Sequence, residues 1–414
     1  MKKLVALLLA LTLCIGLCAC GATAEKPAEE TPATTGETET PATDAKDIKV
    51  GFIFLHDENS TYDLNFINAA KAAAAELGLS DDQIMMKTNI AESQACYDAA
   101  AELVDAGCDL VITDSFGHES FALAAAKEFP EVQFVSCTGV KAHTEGLSNF
   151  HNAFASIYEG RYLAGVAAGL KLNEMIENGD ITAEEAKMGY VGAYPYAEVK
   201  SGYTSFFLGA RSICPSVTME VTFTSSWYDE ALEMEAANKL INNGCVLISQ
   251  HADSMGAPTD CETAGVPNVS YNGSTVAACP NTFIVSSRID WTPFFVYAIN
   301  CVASGEDIGY DWTGTLATGS VVLTEVNEQA AAAGTVEKIA EVMKALEDGS
   351  VKVFDTATFT VNGETVTTYL ADVDDLGDYV GETEAISDGA FLESYYRSAP
   401  YFDLDIDGIT NLDA

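Results

Sequence analysis

The chain has 414 residues, with 62 acidic and 20 basic side chains and a formal net charge of −42 at neutral pH. That length allows two or three domains, and a hydrophobic content of 48% sets the acidity on a globular body rather than a disordered one. Non-specific nucleic-acid binding and docking on anionic lipid both need clustered Lys and Arg, so this charge balance disfavours them.

Lys2 and Lys3 are followed by a nearly unbroken apolar run from Leu4 to Leu17, then by Leu17-Cys18-Ala19-Cys20. The order is that of an export signal: positive start, apolar centre, small-residue cleavage site. The run is shorter than the roughly twenty residues a spanning helix needs. Leu-x-Ala-Cys resembles the lipobox of bacterial lipoproteins, which implies cleavage after residue 19 and lipidation of Cys20. Residues 20–46 carry Pro27, Pro32 and Pro41 among Thr, Glu and Ala. Such a segment has too little apolar surface to offset its ordering entropy, and it reads as a solvated tether.

From residue 47 the pattern becomes regular. Ile48 to Leu55 is a strand-like apolar run and Phe66 to Leu77 an Ala-rich helix. Strand Ile84–Lys87, helix Ser93–Ala106, strand Asp109–Thr113, helix Glu119–Phe129 and strand Val132–Cys137 follow. Short strands alternating with longer helices read as right-handed βαβ units around a parallel sheet.

The order then begins again. Lys187-Met-Gly-Tyr-Val echoes Lys49-Val-Gly-Phe-Ile, and Leu240-Ile241-x-x-Gly244-Cys245 echoes Leu103-Val104-x-x-Gly107-Cys108. In each copy the Gly follows a helix, where a left-handed residue closes the last turn. The spacing between copies is that of a domain rather than of a solenoid repeat. The body therefore reads as two similar α/β lobes. Helices are expected over Asp290–Ala303, packed back on the first lobe, and over Glu325–Glu347. Asn362-Gly363 then marks a hairpin turn. The expected division is a signal over 1–19, the tether over 20–46, lobe 1 over 47–156, lobe 2 over 157–288, a return to lobe 1 over 289–325, and 326–414 completing the lobes.

Eleven cysteines less Cys14, Cys18 and Cys20 leave eight, none in a Cys-x-x-Cys pair. Their apolar neighbours favour free core thiols over a disulfide framework. His56, His118 and His251 follow separate strands and share no metal-ligand spacing. Asp403-x-Asp405-x-Asp407-Gly408 opens like a calcium loop but lacks the Glu at its twelfth position. Gly-x-Ser-x-Gly, Walker and dinucleotide fingerprints are all missing, so neither catalysis nor a cofactor is expected.

In open parallel sheets ligands bind beyond the carboxyl ends of the strands. Those ends carry Leu55 to Tyr62, Asp114-Ser115-Phe116, Tyr194 to Tyr196, Trp227, His251, Asp253, Asn272, Asp290 and Trp291. Aromatic faces with a few polar groups suit a flat aromatic ligand. Trp227 also reads as core cover, Asp253 as a helix cap, and Tyr62 and Phe116 as lobe interior.

Tyr158-Glu-Gly-Arg-Tyr-Leu-Ala-Gly165 resembles the crossover-helix motif of the basic membrane protein family of lipoproteins. Ser226-Trp227-Tyr-Asp229, Gln250-His251-Ala-Asp253-Ser254 and Trp291-Thr-Pro-Phe-Phe295 resemble its purine-binding branch. The similarity spans about residues 47–412, including the Asp-rich end. It implies a type I periplasmic-binding fold that binds a purine nucleoside or nucleobase for an ABC permease and ATPase. It also implies that Trp227 stacks on the base and that Asp253 and His251 meet its edge. Ser115, Phe116, Asn272 and Asp290 lie at further matching tips, and Tyr62 and Trp291 join them as candidate contacts. The family's Gly-rich turn after the first strand is replaced here by His56-Asp-Glu-Asn-Ser-Thr-Tyr62. The resulting expectation is a monomeric, lipid-anchored extracytoplasmic binding protein that closes about a hinge, without metal, cofactor or nucleic acid. A sugar or autoinducer binder on the same fold is the alternative.

Overall fold

The computed structural model describes residues 47–373 and 380–413; the export signal, Cys20 and the tether lie outside the described residues. Lobe 1 runs β1 (Val50–Ile53), α1 (Thr61–Leu77), β2 (Ile84–Lys87), α2 (Gln94–Asp105), β3 (Leu110–Thr113), α3 (Glu119–Glu128), β4 (Gln133–Ser136), α4 (Ala142–Glu145) and β5 (Phe150–Ala155). Helix α5 (Ile157–Asn178) carries the chain into lobe 2. There follow β6 (Lys187–Gly192), α6 (Ala197–Ile213), β7 (Thr218–Phe223), α7 (Glu230–Asn242), β8 (Leu247–His251), α8 (Gly256–Ala264), β9 (Asn268–Tyr271) and β10 (Phe283–Ile289).

The chain then recrosses. Helix α9 (Thr292–Ser304) packs its apolar face on α1, and β11 (Asp311–Gly314) adds to the lobe 1 sheet beside β5. Strand β12 (Val321–Leu323) rejoins lobe 2 antiparallel to β10, and α10 (Thr335–Glu347) packs on α5. Short strand pairs follow, β13 (Leu370–Ala371) with β14 (Thr383–Glu384) and β15 (Ile386–Ser387) with β16 (Ala390–Phe391). The last strand, β17 (Ile409–Asn411), lies parallel to β7. The result is a six-stranded sheet ordered β11-β5-β4-β3-β1-β2 and a seven-stranded one ordered β12-β10-β9-β8-β6-β7-β17.

The repeat read from the sequence is a repeat of hydrogen bonds. Gly107 and Gly244 are left-handed at φ of 86° and 88°. Cys108 N donates to Leu103 O and Cys245 N to Leu240 O, each at 3.0 Å. The next residues, Asp109 and Val246, donate to Lys49 O and Lys187 O, each at 2.8 Å. The same turn thus docks each second helix beside each first strand. All eight cysteines from Cys96 to Cys301 are buried and free.

Two readings are corrected. Helix α10 begins at Thr335, not Glu325, because left-handed Gly334 (φ 80°) stops a helix from extending back through it. Asn362 and Gly363 do take positive φ, 53° and 82°, but only the Val361–Glu364 bridge closes that turn. The Asp-rich end serves the protein itself. Lys200 meets Asp403 at 2.7 Å and Asp405 at 3.3 Å, while Asp407 Oδ2 accepts from Gly363 N at 2.8 Å.

Glycines explain why α5 and α6 pack so closely. A Cβ on Gly165 would stand 2.0 Å from Phe206 O, and one on Gly209 would stand 2.1 Å from Tyr162 O. Neither oxygen can retreat without parting the helices. Gly165→Ala is therefore expected to destabilise the protein by at least about 1–3 kcal/mol, as overpacked cores do. A lower urea midpoint at unchanged slope would confirm this, and an unshifted midpoint would refute it.

Candidate functional site

The carboxyl ends of both sheets face one cleft, and the lobes touch across it. Thr61, at the first turn of α1, donates its N–H to Asp253 O at 3.0 Å, and its hydroxyl lies 3.3 Å from the same oxygen. Asn65 Nδ2 donates to Asn272 O at 3.1 Å. The rings of His56 and Tyr228 stand 5.4 Å apart, and those of Phe116 and Tyr196 stand 6.3 Å apart. The space left between the lobes, counted together with the solvent at its mouth, is about 440 Å³.

Six of the residues singled out in the sequence line this cavity: Tyr62, Ser115, Phe116, Trp227, His251 and Asp253. Asn272 sits behind it, its Nδ2 donating to Asp253 Oδ1 at 3.3 Å. Asp290 and Trp291 lie outside. Asp290 accepts from Thr292 N at 3.0 Å, capping α9, and faces Arg288 at 3.4 Å. Trp291 is buried in the core of lobe 1, 4.4 Å from the Phe66 ring and stacked with it. The recrossing of the chain at this point buries the indole instead of leaving it at the strand tips.

The sequence reading missed two lining carboxylates, Asp63 and Glu198, which line the cavity together with Asp114, Tyr271 and Thr138. Asp114 lies at the strand end where the sequence placed it, directly before Ser115. Asp63 was concealed by a capping role: its N–H donates to the N-cap Ser60 Oγ at 3.2 Å, and that hydroxyl donates back to Asp63 Oδ2 at 2.5 Å. Asp63 Oδ1 also accepts from His56 N at 2.8 Å.

Carboxyl groups dominate the electrostatics. Burial first, then the charge of Asp63 beside it, pushes the Asp114 carboxyl well above its ordinary range. Burial alone would raise Asp63 too, but hydrogen bonds from His56, Asp114 and Ser60 outweigh it and hold that group low. The two carboxyls are thus pushed in opposite directions, Asp114 up and Asp63 down. Asp253 is raised well above the usual range by burial, then by the charges of Asp63, Glu233 and Glu198. Burial lowers His251, whose Nε2 stands 3.3 Å from Glu198 Oε1. Tyr271 OH, Asn272 Oδ1 and His251 Nδ1 are buried without a hydrogen-bond partner among the described residues.

Aromatic rings close the cavity's outer side. Trp227 packs edge-on to Tyr194 at 5.2 Å, and Tyr194 stacks on Tyr196 at 5.1 Å and 12°. Phe116 is 44% exposed, so its face is available. Together the site offers π surface at the mouth and oxygen acceptors inside. Neither Lys nor Arg lines it.

Comparison with known proteins gives the family and the fold. The family model described as ABC transporter substrate-binding protein PnrA-like matches residues 53–353. A purine-binding protein of Brucella abortus (strain 2308) is 31% identical over 261 residues, covering 62% of this chain and 69% of the relative. A putative ABC transporter glucose-binding protein of Haloferax volcanii is 31% identical over 217 residues, covering 52% of each chain. Among solved structures, a solute-binding protein of Aeropyrum pernix K1 superposes with a TM-score of 0.60 at 17% identity, covering 74% of this chain and 93% of the other. Another from Conexibacter woesei gives 0.57 at 20% identity, covering 74% and 98%. These likenesses give the fold as that of type I periplasmic binding proteins, as the sequence implied.

The buried acids make stability depend on pH. Burial pushes Glu233, whose Oε1 accepts from Ser254 N beside Asp253 at 3.3 Å, up to about 7 from 4.5. Burial likewise pushes Glu393, which accepts from Ser201, up to about 7. A carboxyl raised on folding binds its proton more tightly in the folded state, so its contribution is full below 4.5 and lost as pH rises through 7. The melting temperature is therefore expected to rise between pH 8 and pH 5, and Glu233→Gln is expected to flatten that rise. Calorimetric melts across this window test it. A maximum at pH 8 would contradict it.

Proposed function

The chain belongs to the PnrA-like family of ABC transporter substrate-binding proteins, and from that premise we propose that it captures a purine nucleoside or nucleobase for an ABC importer while held to the membrane by a lipid on Cys20. It is an extracytoplasmic solute-binding protein, with permease and ATPase as partners, and not an enzyme. Among the described residues no helix is long and apolar enough to cross a membrane.

One observation carries the ligand reading: Phe116 and Trp227 line, as aromatic faces, a chamber that also holds the carboxyl groups of Asp63, Asp114, Glu198 and Asp253. A base stacks between aromatic faces, and its amino groups or a ribose hydroxyl would find acceptors within. Tyr62, Ser115 and His251 complete the wall, and Asn272 holds Asp253 in place. The name of the Brucella relative, a purine-binding protein, supports the same class. The Haloferax relative is named for glucose, and a chamber rich in acceptors also suits sugar hydroxyls.

Closure supplies the mechanism. A ligand that touches both lobes stabilises the closed form by the contacts it lacks in the open one. Saturation at about 100 times Kd adds roughly 2.7 kcal/mol of stability.

Mass spectrometry of compounds released from the purified protein separates the two classes. A purine is expected, and a sugar in its place would overturn the reading. Trp227→Ala is expected to weaken purine binding by about 1–3 kcal/mol, the range for base–aromatic stacking. Asp253→Ala is expected to cost about 1–3 kcal/mol by loss of a hydrogen bond. Titration calorimetry measures both, and unchanged affinity in both variants would mean that the ligand lies elsewhere. Cys20→Ser is expected to move the protein from the detergent phase to the aqueous phase on phase partitioning.

A further inference from the structure

A buried polar atom without a partner carries its full desolvation cost, so each one in a native fold calls for an explanation. On side chains that line the chamber, His56 Nδ1, His251 Nδ1 and Tyr271 OH are buried without a hydrogen-bond partner among the described residues. Two of the three have a local account. His56 Nδ1 stands 3.4 Å from Asp63 Oδ2. His251 Nδ1 faces α6, where a Cβ on Gly202 would stand 2.8 Å from it. That leaves the hydroxyl of Tyr271.

The surroundings of Tyr271 hold its ring still. It ends β9, which lies between β8 and β10 in the lobe 2 sheet. Asn272 N, the next donor along the chain, is taken by Ser287 O at 2.9 Å. The Arg161 guanidinium lies 5.0 Å from the Tyr271 ring centre, and the His251 ring lies 4.4 Å from it. The phenol oxygen is the one polar atom of this side chain, so any hydrogen bond from it into the chamber is made there. Burial, then the charge of Glu198, pushes the phenol well above its ordinary range, so its proton stays on. The neighbouring carboxyls are less constant. Asp63 is held low and accepts, whereas the raised Asp114 and Asp253 also donate once protonated. Tyr271 is a donor throughout. A phenol oxygen can accept as well, but only an acceptor on the ligand relieves its O–H.

A purine with its faces toward Phe116 and Trp227 presents its edge to the rest of the wall. The unprotonated nitrogens on that edge accept hydrogen bonds and donate none. Resting on the purine reading above, we propose that Tyr271 is a further ligand-contacting residue, its hydroxyl donating to an unprotonated ring nitrogen of the bound purine. Neither side need reorganise, since the ring is fixed before the ligand arrives.

Titration calorimetry of the full-length protein, stripped of bound ligand, tests this with adenosine, inosine and their deaza analogues, in which one ring nitrogen is replaced by CH. Tyr271→Phe is expected to bind the tighter nucleoside about tenfold more weakly, the effect of one hydrogen bond whose partner is left unpaired. One deaza analogue is expected to lose about the same factor on the unaltered protein, and to lose nothing further in Tyr271→Phe. The melting temperature of ligand-free Tyr271→Phe is expected not to fall, because the hydroxyl has no protein partner to lose. Unchanged nucleoside affinity in Tyr271→Phe would overturn the proposal and leave the purine reading standing. So would full affinity for every deaza analogue, which is measured on the unaltered protein, or a lowered melting temperature that assigns the hydroxyl to the fold. Binding of neither nucleoside to the unaltered protein would overturn both.

Discussion

Asp253 is the residue on which the cleft turns, and its backbone does as much as its side chain. Its N–H donates to Trp227 O at 3.0 Å, its carbonyl accepts from Thr61 N at 3.0 Å, and its carboxyl accepts from Asn272. One residue thus ties together the loop that carries Trp227, the tip of β9 and the opposite lobe. Thr61 N is one of the donors that a helix N-terminus leaves without an intrahelical acceptor. When the lobes meet, a carbonyl from across the cleft takes that role. When they part, water takes it. The exchange is nearly balanced, since a single hydrogen bond contributes little net free energy. A ligand that touches both lobes can then decide the equilibrium.

The same residue connects geometry with charge. Burial raises the proton affinity of Asp253, and the charges of Asp63, Glu233 and Glu198 raise it further. Such a cluster is costly to bury ionised, and that cost is what raises Asp114 and Asp253 above the ordinary carboxyl range. Arg161 contributes from below. Its guanidinium is fully buried, donates to Tyr190 OH at 2.8 Å and Ser249 Oγ at 3.0 Å, and lies 5.0 Å from the Tyr271 ring centre. It forms no carboxylate pair; aromatic faces and neutral oxygens solvate it instead. The Arg in the crossover-helix motif thereby supports Tyr271 and, through the 4.4 Å ring contact, His251.

How much of this was legible follows from which interactions are local. The strands, most helices and the doubled turn at Gly107 and Gly244 were legible because periodicity and a left-handed residue after a helix are local matters. Trp227, His251 and Asp253 were legible because strand ends in a parallel sheet converge. Asp290 and Trp291 follow the same pattern, yet the chain changes lobes there, a nonlocal event that turns a strand tip into a helix cap and a core indole. Asp63 and Glu198 are the opposite case. In the sequence they are acids in the first turn of a helix, where Asp and Glu are common for reasons unrelated to ligands. Only the approach of α1 and α6 to one cavity gives them a second role.

The C-terminal segment extends the same reasoning beyond the family match. Phe354, Phe359, Phe391 and Phe402 are buried with the lobe 2 core, and β17 extends the lobe 2 sheet. This apolar anchorage fixes the segment to one lobe. Its polar contacts reach the other: Ser398 N donates to Asp311 Oδ2 on β11 at 2.6 Å, and His143 of α4 meets Val373 O at 2.7 Å. A segment rooted in one lobe and hydrogen-bonded to the other cannot be indifferent to hinge motion. Each opening must break those bonds or bend the segment, so part of the free-energy difference between open and closed forms lies in residues that do not line the inner cavity. Affinity in this protein is accordingly a property of both the cleft and the strap beside it.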